Sequence, residues 1–284
     1  MPDDRLRSDD SSSSGDACGS ARALRRWQDL TSGELARLAA ADAVAVLPLA
    51  AVEQHGPHLP LSTDIEIGMG ILAAAGRGLS AGDRVVVLPA QPLGASEEHL
   101  RFPGTLSLSP ALLRRLLVAI GTAVASAGIR RLVVLNSHGG NRAVLDLAAL
   151  QLRRELGLLV VKATYPRFSR PDTVHLPERE WRHGIHGGAI ETAMMMHLRP
   201  ELVPLEALSS FPSLGEELEA EGGILSPEGA ASFAWVAGDL NPAGVTGDPR
   251  LANAEMGERL VEHYGRMLAK VIREAGAFPL DRLA

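Results

Sequence analysis

Short apolar runs alternate along the chain with longer stretches in which apolar residues recur every three to four positions. Residues 41–50, Ala-Asp-Ala-Val-Ala-Val-Leu-Pro-Leu-Ala, are mostly apolar and partly β-branched, and read as a buried strand ending near Val52. Residues 84–89, 131–135 and 158–163 read the same way. Helical spacing occupies residues 31–40, about 65–75, 110–127 with Gly128 as its stop, and 142–156. Further helical segments follow Gly187-Gly188 and begin again at Ala252. Strands that alternate with helices predict an α/β fold, a largely parallel sheet covered on both faces, with ligand sites beyond the carboxyl ends of its strands.

The first 23 residues break the rhythm. They are polar, rich in Ser and Asp, and read as a disordered tail before a single domain over residues 24–284. The tail has no apolar core of a secretion signal. With 46% apolar and 22% charged residues, the 284-residue chain is globular in composition and long enough to bury a sizeable core. A net charge of -6 supplies no basic field for nucleic acid, and no apolar run approaches the ~20 residues that span a membrane. One cysteine, Cys18, excludes an internal disulfide and fits a reducing cytoplasm.

The chemistry gathers where strands end. After the first strand comes Glu53-Gln-His55-Gly-Pro-His58, with Asp64 six residues on. If Glu53 to His55 is extended, the two side chains project together, and the turn forced by Gly56, Pro57 and Pro60 folds Asp64 back toward them. Such oxygen and nitrogen donors suit Zn, Mn or Fe. Asn136-Ser-His138-Gly139-Gly140-Asn141 follows another strand and opens a helix, whose amides at Gly139 and Gly140 could hold an anion or oxyanion. In His186-Gly-Gly-Ala-Ile-Glu191, His186 stands before a helix as a proton donor or acceptor, with Glu191 in the first turn or two. His175 and His183 have no supporting context and read as surface residues. His99, in Glu97-Glu98-His99-Leu-Arg101, is placed on a loop, either at the pocket rim or, with Glu98 and Arg101, in a subunit contact.

These four motifs, with Gly94-Ala-Ser-Glu-Glu-His99-Leu-Arg-Phe-Pro-Gly-Thr105 among them, resemble the creatininase family of metal-dependent amidohydrolases over about residues 30–270. The resemblance implies a three-layer α/β/α sandwich, two divalent cations per subunit and assembly into a homo-oligomer such as a hexamer. It makes Glu53 and His138 ligands of one cation, His55 a ligand of the other, and Asp64 the carboxylate between them. Two cations about 3.5–4 Å apart bind a bridging water and bring its pKa toward neutrality. His186 would then protonate the leaving nitrogen, while His99, Gly139, Gly140 and Asn141 face the substrate or oxyanion.

The chain departs from creatininase itself in two places. A His-Tyr-Glu-Asn sequence stands there where this chain has His138-Gly-Gly-Asn141, which removes a glutamate ligand that Glu191 would replace. Ile185 stands where creatininase has a glutamate. Both departures argue against creatinine as the substrate. Three functions therefore compete: an amidohydrolase of a small, cyclic or related amide; a peptidase like the family's mycofactocin-maturation enzyme, taking a short peptide; and a non-catalytic metal-binding scaffold. The His-Gly-Gly-Asn form, also shared by deformylases of pyrimidine intermediates, does not separate the first two.

Overall fold

The computed structural model describes residues 24–283, so the tail read at residues 1–23 lies outside the described residues. Five strands, β1 (Leu24–Arg26), β2 (Val44–Leu49), β3 (Val85–Val87), β4 (Arg131–Asn136) and β5 (Leu159–Thr164), form one parallel sheet in the order β1-β3-β2-β4-β5. The two central strands β2 and β4 are buried along their whole length, but their side chains serve two different cores. Val44 and Val46 of β2, with Val133 and Leu135 of β4, pack on one face. Ala45, Leu47 and Leu49, with Leu132 and Val134, pack on the other. The period of two therefore explains the continuous apolar run: both faces of the sheet are covered.

Helices α2 (Thr63–Gly78), α6 (Ala189–Leu198) and α9 (Ala254–Ala277) cover the first face, where Ile67, Ile71, Met194, Leu260 and Leu268 join the core. Helices α3 (Pro110–Ser126) and α4 (Arg142–Leu156) cover the second, with Leu35 of α1 (Ser32–Ala40) against them. The result is the three-layer α/β/α sandwich expected. Shorter helices α5 (Glu178–His183), α7 (Leu214–Ala220) and α8 (Ala237–Leu240) lie in the long connections.

Local sequence accounts for the helix ends. Thr31 and Glu34 form a reciprocal capping box on α1, and Ser109 caps α3 ahead of Pro110. Gly157 closes α4 in the left-handed conformation, φ 65°. The strand read at residues 84–89 is shorter in fact, because β3 ends at Val87 and Pro89 has no N–H to continue the ladder. Strand β1 carries two arginines in three residues, and nothing in its hydropathy separates it from the tail. Among the described residues no helix is long and apolar enough to cross a membrane.

Candidate metal centre

The carboxyl edge of the sheet collects the chemistry. Glu53 and His55 come from the loop after β2, His138 directly follows β4, and Asp64 is the second residue of α2. His186 precedes α6 and Glu191 lies in its first turn. A 3-10 helix, Glu97–His99, brings His99 in from the loop after β3. Glu53 and His55 have no exposure at all, and Asp64, His99 and His138 are buried with them.

The two oxygens of Asp64 face different histidines. Oδ1 lies 3.6 Å from His55 Nε2, and Oδ2 lies 3.4 Å from His138 Nδ1. Glu53 Oε1 lies 3.1 Å from His138 Nδ1 and 4.0 Å from His55 Nε2, while Glu191 Oε2 is 3.9 Å from His55 Nε2. Ser96 Oγ donates to Glu53 Oε2, which leaves Oε1 to face the cluster. Glu191 is held by the Gly187 amide (2.6 Å) and the Tyr165 hydroxyl (3.4 Å). Gly187 makes the first of these contacts with φ +66°, and a Cβ there would meet Val245, so the turn requires glycine.

Backbone carbonyls orient the imidazoles. His55 Nδ1 donates to Glu53 O (3.1 Å), His138 Nε2 to Ala95 O (2.9 Å) and His186 Nε2 to Gln54 O (2.8 Å). In the neutral ring the other nitrogen is then a lone pair turned toward the carboxylates, the arrangement that metal-ligating histidines use. His186 Nδ1 is 3.7 Å from Glu53 Oε1, and its ring stacks between those of His55 and His99 at 4.2 Å from each.

Burial raises the Asp64 carboxyl to about 7, with the Glu53 charge adding to it. Burial also works against charge on His55, yet the adjacent Asp64 carboxylate, with the charges of Glu191 and Glu53, lifts it to about 9. Burial opposes charge on His138 too, but Glu53, Glu98 and Asp64 together raise it well above its usual value. Burial pushes His186 down to about 4, helped by the nearby His55. A metal-free centre thus retains protons to offset its carboxylates. Glu53 Oε1, His55 Nε2 and Asp64 Oδ2 are buried without hydrogen-bond partners, a costly state that divalent cations would relieve. The candidate ligand groups are Glu53, His55 and Asp64; His55, His186 and Glu191; and Glu53, His99 and His186. Such donors fit divalent cations.

Several sequence expectations need correction. His99 is not at the rim but 2% exposed, with Nε2 3.6 Å from Glu53 Oε1. His183 is not a surface residue; it is buried and pairs with Glu219. Asn141 does not face a substrate, because its amide bonds Ala50 O and Asn136 Oδ1 while its oxygen accepts from Ala95 N. It ties the strand ends together. Gly140 borders Glu98 Oε1, His138 Nε2 and Ala95 O, so two oxygens stand where an oxyanion was expected, whereas Gly139 has open space around its Cα. His58 stays outside the cluster and donates from Nε2 to Gly187 O. Sequence reasoning passed over Ser96, Tyr165 and Gln54, whose side chains contact Glu53, Glu191 and His99 in turn.

Residues 28–272 match the Creatininase family model, described as "Creatinine amidohydrolase". A "Mycofactocin precursor peptide peptidase" of Mycolicibacterium smegmatis is 33% identical over 76% of this chain and 79% of its own length. A "Creatinine amidohydrolase" of Pseudomonas putida is 32% identical over 62% of this chain and 72% of its own. Among solved structures, one described as "Creatininase Mn" superposes with a TM-score of 0.71 at 27% identity, covering 89% of this chain and 99% of that one. The chain belongs to the creatininase family, whose named members here are hydrolases.

Proposed function

We propose that the chain is a metal-dependent hydrolase of a C–N amide bond that uses two divalent cations. The observation that carries this reading is Asp64, whose two buried oxygens face His55 on one side and His138 on the other. Glu53, Asp64 and His138 would hold one cation, and His55, Asp64 and Glu191 the second. When bound, the cations would supply an activated water and polarise the amide carbonyl.

The chain's own residues then hold the substrate and move the proton. His186 Nε2 is occupied by Gln54 O, so the working nitrogen is Nδ1, which begins as a lone pair. It therefore takes a proton before it can act as the acid that hands one to the leaving nitrogen. This refines the simple donor role read from sequence. Gly139, beside which there is open space, is kept as the candidate backbone donor to the oxyanion.

A peptide substrate is the second reading, favoured by three further relatives described as "Mycofactocin precursor peptide peptidase", two from Mycobacterium tuberculosis strains and one from Mycobacterium ulcerans, at 32% identity. In both readings the enzyme works as a homo-oligomer in a reducing cytoplasm. Elemental analysis of protein purified without chelator should find about two divalent cations per chain, and Asp64→Ala should lose both. Full metal content in that variant would reject the bridging role. Loaded protein inert toward cyclic amides and short peptides alike would reject the hydrolase and leave the scaffold reading.

A further inference from the structure

His99 differs from the three imidazoles beside it, and Gln54 is the reason. The Gln54 side chain is fixed at both ends: Oε1 accepts from Gly56 N at 2.9 Å, and Nε2 donates to Gly244 O at 2.6 Å. A backbone N–H and a backbone carbonyl cannot exchange roles, so the amide has one permitted orientation. Its Nε2 also lies 2.8 Å from His99 Nδ1 and 3.2 Å from His186 Nε2, and the latter nitrogen already donates to Gln54 O at 2.8 Å. Two donors cannot share one hydrogen bond, so Nδ1 must be the acceptor and the proton of the neutral ring sits on Nε2. That nitrogen makes no hydrogen bond among the described residues and points at the cluster, 3.6 Å from Glu53 Oε1.

His55, His138 and His186 offer lone pairs to the centre, whereas His99 offers an N–H. Proximity alone groups His99 with Glu53 and His186 as a possible ligand set. The tautomer removes it, because a protonated nitrogen has no lone pair for a cation. From this geometry we infer that His99 is a catalytic hydrogen-bond donor, with Nε2–H directed to the carbonyl oxygen of the amide substrate, where negative charge develops. A preset N–H in a buried site stabilises that charge without reorganising when it forms. Gln54 is the positioning residue, since it sets which nitrogen carries the proton. The inference rests on the amidohydrolase reading for its substrate and on hydrogen bonding alone for its tautomer.

Two measurements decide it. In zinc-loaded protein with ¹⁵N-labelled histidine, two-bond ¹H–¹⁵N spectra assigned through His99→Ala should show His99 as the Nε2–H form; an Nδ1–H form, or an Nε2 shifted by zinc, would overturn the assignment. In turnover of a panel of cyclic amides and short peptides, His99→Ala should lower kcat by about 10²–10³-fold with KM within a few-fold and metal content unchanged. His99→Gln, which returns an N–H near Nε2, should recover part of the loss. Lost metal or unaltered kcat in His99→Ala would overturn the inference. If the unaltered chain hydrolyses nothing in the panel, the hydrolase reading fails by itself, and the ring spectra still decide the tautomer.

Discussion

Glu191 is the residue whose role the sequence and the geometry constrain from opposite sides. In the first turn of α6 it complements the helix dipole, which is worth about 0.3–1 kcal/mol and requires no metal. Its Oε2, however, lies 3.9 Å from His55 Nε2, within reach of a cation shared with that ring. Glu191→Gln should therefore empty one of two metal positions, as read by elemental analysis and by Mn²⁺ titration. Full occupancy with a small stability loss would leave only the dipole role. If His186 relays the proton as proposed, His186→Ala keeps both cations and lowers turnover by about 10²–10⁴-fold. A drop in metal content would instead make His186 Nδ1 a ligand, an outcome its lone pair makes physically accessible.

At the scale of elements, the site depends on how α6 is anchored. Glu180 of α5 is buried, and its carboxylate accepts from Ala189 N (2.7 Å) and Asp248 N (2.8 Å). It thus ties the start of α6 to the segment whose Thr246 pairs with His186. Burial raises the Glu180 pKa, and the two amides oppose that rise. Glu180→Gln offers one acceptor to two N–H groups, so one is left unpaired at a cost of about 1–3 kcal/mol. The expected result is a lower melting temperature together with weaker metal binding on the Glu191 side. Unchanged affinity would show that α6 is held without this clamp. Strands β2 to β5 and the helices packed on them were legible because hydrophobic periodicity is local, and Glu53, His55, Asp64 and His138 could be singled out because they stand at strand ends or the turns after them. His99 was misplaced because a 3-10 helix turned it inward. The Gln54 contacts to His99 and Gly244 span 45 and 190 positions of sequence, a separation no local pattern can carry.

For the whole molecule, the centre is a concentration of buried charge that two helical layers enclose, so metal content and stability are linked. In the metal-free chain Asp64 titrates at about 7 and His55 at about 9, both above their ordinary values of 3.8 and 6.5. Each raised group favours the folded state while it keeps its proton. That contribution is complete below the unfolded pKa values and is lost as pH rises through about 7 and then about 9. His138, raised well above its usual value, adds to the same slope, whereas Glu53, depressed by His138 against the effect of burial, has completed its titration below this range. Cations bind the deprotonated ligands and replace those protons, so the loaded protein escapes the slope. The melting temperature of chelator-treated protein should therefore fall between pH 7 and pH 9, while that of metal-loaded protein stays nearly level and the gap widens. Loading at pH 7 should also release protons, measurable by calorimetry in buffers of different ionisation heat. Parallel melting curves with and without metal, and no proton release, would mean that these side chains do not form the metal centre.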